Sequence, residues 1–485
     1  MICDARDPTV SLNRTADVAI VGGGPVGLLV AERLAKLCDV VVLESGGRHD
    51  EQPADKLNVA RVVPDSYPIN ETRTRRLGGS TALWAGYLTP VDSSDLEVRD
   101  WIDGSGWPIK WSELQHHFDR ILGRFHLPKG DFESLFNTSA LASGCGIDLP
   151  FDPRLFRWRT WRFGTPIWRF GRADEARLDA SNTPIILTHA NVIDLRLSND
   201  HGRIDGVVVR TICGREGRLK ANLVVIACGG LETPRLLLNC DSQQPWGIGN
   251  QHGLVGRFFM EHPHHTLSAI EVQNSSILSF SASRVCVSGR SDLSFNFGPT
   301  NEFQKASRLL NAGLHAFRTP AMSEGQPPRI GAYMEQVPNP ESRVKLSTEV
   351  DAVGMRGINL EWKLLEEDWR SVESIQEKLL AEFEREGLGR LARGAAPLRE
   401  GHVLHSNHHL GTTRMAATPE EGVVNANCQI HGIENGYLIG GNVFPTGGWA
   451  NPSLTLLALA SRLADHLVSK LEGQLWTHDS TKRKH

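Results

Sequence analysis

One stretch near the N-terminus leaves this chain little freedom: residues 17–44 read as strand, glycine turn, helix, second strand and terminal acid. Val18 to Val21 form a continuous apolar run, the pattern of a parallel strand buried on both faces. Gly22, Gly24 and Gly27 follow at the G-x-G-x-x-G spacing. The first glycine permits a tight turn, the second lets backbone approach a pyrophosphate, and the third seats the helix close on the strand. Residues 26–37 carry that helix, whose N-terminal N–H groups face the phosphates. The next strand, 39–43, ends at Glu44, which can hold both hydroxyls of an adenosine ribose and repel a 2′-phosphate. Glycine spacing alone is weak evidence. Strand, helix and acid in register specify a dinucleotide-binding α/β unit.

The whole chain of 485 residues exceeds one such unit, and length predicts roughly two to four domains. Hydrophobic content of 40% and charged content of 22% fit a globular protein in water. A net charge of −4 gives no global field for nucleic acid or anionic lipid, and neither is expected as a partner. No apolar run reaches bilayer-spanning length, and residues 1–8 show no basic segment leading into an apolar core. The eight cysteines (Cys3, Cys38, Cys145, Cys213, Cys228, Cys240, Cys286 and Cys428) form no Cys-x-x-Cys pair. Buried reduced thiols in a cytoplasmic protein are therefore expected. Residues 154–172 interleave arginine with aromatic side chains. Such a mixture can stack on bases, but cation–π packing in a surface excursion fits the acidic balance better. Trp158 or Trp161 is expected to border the substrate entrance.

The acid/base candidates are held back to the end. Residues 407–415 (NHHLGTTRM) contain His408, and residues 442–452 (NVFPTGGWANP) end in Asn451 and Pro452. Histidine titrates near neutrality and can accept a hydroxyl proton. His409, one step along an extended chain, should point the other way. His402, His405, His408 and His409 lie close together, yet no suitably spaced carboxylate or cysteine accompanies them, so no metal site is expected. Asn451 before Pro452 reads as a helix N-cap with proline at the first helical position, opening an apolar-rich helix over 453–471.

Two more glycine-rich segments complete the pattern: residues 75–86 (RRLGGSTALWAG) and 223–238 (LVVIACGGLETPRLLL), with GSGWPI at 104–109 between them. In this order, over residues 16–130, 180–262 and 400–470, the chain resembles the glucose–methanol–choline (GMC) oxidoreductases. The likeness is greatest to the bacterial branch with pyranose oxidases and membrane-associated sugar and gluconate dehydrogenases. The resemblance implies FAD. It puts Gly22, Gly24, Gly27 and Glu44 on the adenosine diphosphate, and Gly78, Gly79 and Ser80 beside the flavin. Gly229 and Asn442 join the cofactor set, and Asn451 with Pro452 makes the last flavin contact. His408, with Gly411 and Thr412 completing the family's motif, matches the base, and Asn451 orients the hydroxyl. Fungal pyranose oxidases bind flavin covalently through a histidine; Leu83 stands at the matching position, so noncovalent FAD is expected.

The implied fold is α/β: a discontinuous Rossmann-like FAD domain beneath a substrate domain of mixed β-sheet with covering helices. The expected division is 1–255 for FAD (with inserted segments at 100–180), 256–399 for substrate and 400–485 for FAD again. Residues 256–264 mark the crossing, with His262 in a structural role. Residues 278–287 are expected as strand and the region near 366–387 as a charged helix. The implied reaction oxidises a secondary hydroxyl of a sugar, glycoside or cyclitol to a ketone, with oxygen or a quinone or mediator as acceptor. Two other classes compete: a hydroxynitrile lyase with structural FAD, and a noncatalytic nucleotide-binding module.

Overall fold

The structure, a computed structural model, describes residues 1–63, 67–127, 149–164, 166–274, 284–288, 291–318, 328–401 and 403–482. Cys145, His402, positions 278–283 of the expected strand and the last residues of the basic tail lie outside the described residues. Strands and longer helices are numbered in chain order.

The largest sheet has eight strands. From one edge these are β1 (Ile2–Asp4), β6 (Ile185–Thr188), β3 (Val40–Leu43), β2 (Arg14–Val21), β9 (Glu216–Ile226), β8 (Ile204–Arg210) and β7 (Asn191–Leu197). The eighth, β19 (Gly436–Leu438), pairs parallel with the far end of β9. β6, β3, β2 and β9 are mutually parallel, and all four residues of β3 are buried, as the valine-rich run predicts. Helix α1 (Pro25–Leu34) begins directly after the glycine turn. It packs against the C-terminal helix α5 (Ser453–Lys482), as does α2 (Trp111–Arg124). The two ends of the chain thus share one core.

A second sheet runs β10 (His264–Thr266), β15 (Arg329–Met334), β14 (Ala312–Phe317), β13 (Ser291–Pro299) and β12 (Arg284–Ser288), antiparallel throughout. β5 (Phe156–Gly164) pairs with β13 in nine successive positions. This corrects the surface excursion expected at 154–172: the strand is buried along nearly its whole length. Arg157 and Arg159 reach Asp92, and Arg159 lies 4.5 Å over the Trp449 ring. Trp158 packs among Phe295 and Phe297 and does not line the cavity described below; neither does Trp161.

Helix α4 (Glu366–Arg385) covers this sheet with Val372, Ile375, Leu379 and Phe383, one apolar stripe. β16 (Arg343–Val350) and β17 (Arg356–Glu361) form a hairpin to which β4 (Ala60–Val63) adds in parallel. β11 (Ile270–Val272) pairs with β18 (Gly389–Leu391). β4 and β5 therefore cross the expected division at 255/256: both come from the first 255 residues and both pair with the middle segment.

Candidate active site

Where β2 and β9 end side by side, a cavity of about 610 Å³ opens. Gly22 turns the chain at φ +105°, and a Cβ there would come within 2.6 Å of the Ala227 carbonyl oxygen. A Cβ on Gly27 would stand 2.1 Å from the Gly22 carbonyl oxygen, so only glycine lets α1 sit this close to the turn. Gly24 differs: nothing lies within 4 Å of its missing Cβ, and it lines the cavity. Gly229, φ +76°, is equally open and starts helix α3 (Gly229–Asn239). Two helix N-termini with bare backbone thus face one space, which suits a phosphate-bearing ligand.

Glu44 lines the same cavity. Its Oε2 accepts from the Gly23 N–H and its Oε1 from the Gly46 N–H, each at 2.8 Å. Burial pushes the carboxyl up to about 7, against the lowering effect of those backbone donors. A carboxylate has about four acceptor sites, so two bonds leave capacity for ribose hydroxyls. Arg73, Arg75 and Arg235 converge on Glu232 at 3.1, 2.5 and 3.0 Å beside it, holding Glu232 far below the usual carboxylate range. These four side chains come from two segments; three of them stand within the glycine-rich stretches 75–86 and 223–238, yet sequence reasoning did not single them out.

Gly79 and Ser80 line the cavity, and a Cβ on Gly79 would be 3.1 Å from the Gly24 Cα, so the two glycine turns touch. Gly78 stands behind them: its N–H donates to the Gly23 carbonyl at 2.8 Å. Leu83, 54% exposed, also borders the cavity. Asn442 departs from expectation. It is fully buried, does not line the cavity, and donates from Nδ2 to Thr413 Oγ1 at 2.7 Å; Gly440 and Gly441 line the wall in its stead.

At the other end of the cavity the late-chain residues meet. His408 Nε2 lies 3.3 Å from Asn451 Nδ2, and both residues line the cavity. Pro452, not Asn451, caps α5: its carbonyl accepts from the Leu456 N–H at 2.8 Å, and the helix opens at Ser453. Asn451 turns its amide to the histidine instead. His409 goes elsewhere, with Nε2 2.8 Å from the Tyr67 hydroxyl. A Cβ on Gly230 would meet the His409 carbonyl oxygen at 2.1 Å, so the double glycine also admits the histidine segment.

Behind His408 stands a residue read from sequence as structural. His262 Nδ1 is 2.8 Å from His408 Nδ1, and His262 Nε2 is 2.8 Å from the Gly448 carbonyl oxygen. Glu261 anchors both rings: its Oε1 accepts the backbone N–H groups of His262 (2.9 Å) and His408 (2.7 Å), and its Oε2 accepts from the Tyr67 hydroxyl (2.8 Å). Burial raises the Glu261 carboxyl to about 7. Desolvation holds His262 below and His408 well below the usual histidine range, and drives His409 down to about 3. Neutral imidazoles therefore face the cavity at ordinary pH.

Among the described residues, one group could gather a metal: His116, His117 and Asp465. It does not line the cavity, Asp465 is held by Arg33 and Arg120, and His117 by Ser461.

The family model described as GMC oxidoreductase matches residues 338–460. The chain is 25% identical to the 2-methyl-1,2-propanediol dehydrogenase of Mycolicibacterium austroafricanum over 557 positions, spanning 95% of this chain and 96% of that one. It is 24% identical over 542 positions to the 6′′′-hydroxyparomomycin C oxidase of Streptomyces lividus, spanning 98% and 95%. The fold matches a formate oxidase of Aspergillus oryzae with a TM-score of 0.63 at 17% identity, over 96% of this chain and all of that one. The paired open glycines, the buried acid Glu44 and the cavity that joins them to His408 fit an FAD molecule. With the family-model match over residues 338–460 and relatives aligned end to end, they show an FAD-dependent enzyme that acts on CH–OH groups and is similar to the GMC oxidoreductases.

Proposed function

We propose that the enzyme oxidises a secondary hydroxyl of a neutral sugar, glycoside or cyclitol to a ketone. The observation that carries the proposal is the 3.3 Å contact of His408 Nε2 with the Asn451 amide, at the wall of a cavity that begins at Gly24. FAD, when bound, supplies the acceptor for the hydride leaving carbon. Gly22, Gly24, Gly79, Ser80, Gly229, Glu44 and Pro452 would hold it, noncovalently because Leu83 offers no nucleophile. His408 accepts the hydroxyl proton at Nε2, while the Asn451 amide donates to the hydroxyl oxygen and fixes its direction. Helix α5 begins beside them and turns its positive end to the cavity.

Substrate class follows from the lining near His408. Tyr87, His264, Tyr333, Leu404, Ser406 and Asn407 border that end, whereas the carboxylates Glu44, Glu232 and Asp351 stand with the nucleotide glycines or the arginine cluster. Tyr333 stacks on His264 at 4.4 Å, and burial keeps His264 neutral by lowering it to about 4. Aromatic faces with a few uncharged polar groups suit a neutral polyol. A relative acting on 6′′′-hydroxyparomomycin C supports the sugar class. The thiols free among the described residues (Cys3, Cys38, Cys213, Cys228, Cys240 and Cys428) support a reducing, cytoplasmic location.

Anaerobic mixing with a panel of sugars, glycosides, cyclitols and simple diols tests the proposal. A ring polyol should bleach the flavin and yield a ketone, and oxygen or a quinone should restore the colour. Turnover without bleaching would favour lyase chemistry; an aldehyde as product would move the reaction to a primary hydroxyl. His408→Ala should keep its FAD and lose reduction by about a hundredfold or more. Acid precipitation should release the yellow colour into solution.

A further inference from the structure

We propose that His262 is the positioning residue that decides which nitrogen of His408 carries hydrogen, leaving the cavity-facing nitrogen bare. The inference rests on the reading of His408 as the base, and deepens it. Two contacts determine the outcome. His262 Nε2 lies 2.8 Å from the Gly448 carbonyl oxygen. A carbonyl can only accept, so that nitrogen bears hydrogen. In a neutral ring the lone pair is then on Nδ1, which faces His408 Nδ1 at 2.8 Å. One hydrogen lies between two nitrogens at that distance, and His262 has none to give there. His408 Nδ1 supplies it, and His408 Nε2 is left as the acceptor.

A third group agrees independently. The Asn451 Nδ2 at 3.3 Å from His408 Nε2 is a donor only, and it would oppose an N–H at that position. The geometry is held from both sides. Glu261 Oε1 takes the backbone N–H groups of His262 and His408 together. The Gly448 N–H donates to Glu335 Oε1 at 3.1 Å, and Glu335 is paired with Arg99, which fixes the carbonyl that orders the whole chain of contacts.

The proton balance follows. The substrate O–H bond breaks, an Nε2–H bond forms, and His408 becomes a cation still donating through Nδ1 to His262. No proton passes onward through His262, because its far nitrogen already donates to a carbonyl. The proton leaves His408 by the cavity. Without His262 the ring divides between two tautomers, and the one bearing hydrogen on Nε2 cannot act as a base.

The test uses the FAD-loaded full chain labelled with ¹⁵N-histidine. The histidine whose signals vanish in His408→Ala should show an N–H at Nδ1 and a bare nitrogen at Nε2. His262→Leu should lose that Nδ1–H signal. With the polyol that bleaches the flavin fastest in the panel above, it should lower the rate constant for reduction on the order of 100-fold. The half-saturating polyol concentration should change by less than about threefold, because His262 does not touch the substrate. His262→Asn restores an acceptor near the Nδ1 position and should recover reduction to within about tenfold of the parent. Hydrogen on Nε2 of His408 in the parent enzyme would overturn the proposal, even if His262→Leu failed to take up FAD. So would a His262→Leu enzyme with unchanged signals and rate. If His408→Ala reduced its flavin normally, the base assignment would fail instead, whatever tautomer the spectra show.

Discussion

Gly24 and Gly230 illustrate how a single missing Cβ can serve two different ends. Gly24 has open space where its side chain would stand and an ordinary backbone, φ −73°. Gly24→Ala should leave apoprotein stability within about 0.5 kcal/mol and weaken FAD, because the new methyl occupies the cradle and not the core. Gly230 is the reverse: its Cβ would strike the His409 carbonyl oxygen and Cβ at 2.1 and 2.6 Å. Gly230→Ala should destabilise the fold by about 1–3 kcal/mol and displace the His408 segment. Fluorescence titration with FAD and thermal melts of the apoproteins separate the two; equal FAD loss with equal destabilisation would refute the distinction. At Asn451 the outcome differs again. Asn451→Ala keeps the base and should slow flavin reduction by about ten- to hundredfold without loss of FAD, read by anaerobic stopped flow.

Between elements, a buried charge cluster ties the loop around Asp95 and Arg99 to the end of β15. Arg99 donates to both carboxylate oxygens of Glu335 at 2.7 and 2.6 Å, and Glu335 follows directly on β15. Removing one partner strands the other, so Arg99→Met should cost about 3–5 kcal/mol, whereas Arg99→Lys keeps a charge and should cost less. Thermal melts of both variants check it; an unchanged melting temperature in Arg99→Met would show that Glu335 finds another partner. Such clusters mark where sequence stops being informative. β2, α1 and β3 were legible because burial on both faces and glycine spacing are local properties. β5 was not: its alternating arginines look solvated until Asp92, from a distant segment, is placed beside them. His262 is expected to be structural, and it does stand outside the cavity lining; its contact with His408, 146 positions away, is what no local pattern could show. Asn451 lines the cavity but is not the cap its place before proline suggests, because the Pro452 carbonyl takes the first helical bond, from the Leu456 N–H. Asn442 sits in a matching motif, yet its side chain turns to Thr413.

At the scale of the whole molecule, the buried neutral histidines set how the protein responds to acid. His262, His264, His265, His315, His408 and His409 are all held below their ordinary range by desolvation. A lowered value means that the folded state binds fewer protons than the unfolded one, so this stability is present above the unfolded value near 6.5. It is lost as pH falls toward the folded values, about 4 for His264 and His265 and about 3 for His315 and His409. Four buried carboxyls pull the other way. Glu44, Asp95, Glu261 and Asp368 are each raised to about 7, so their contribution is full below the unfolded value near 4 and disappears as pH rises through 7. Between pH 6.5 and 4.5 the two sets oppose each other, and the histidines are the more numerous. Each uncompensated group is worth about 1.4 kcal/mol per pH unit. The melting temperature should therefore fall modestly from pH 7 to 5. Below pH 4.5 the carboxyls no longer compensate, and the unfolded chain begins to bind protons at Glu232 and Glu335, whose folded carboxylates stay ionised below the usual range beside their arginines, so the fall should steepen. Melts of the FAD-loaded protein at half-unit steps from pH 8 to 4 would show this two-slope curve, and a melting temperature that rose on acidification to pH 5 would mean that the buried carboxyls, not the histidines, govern the fold.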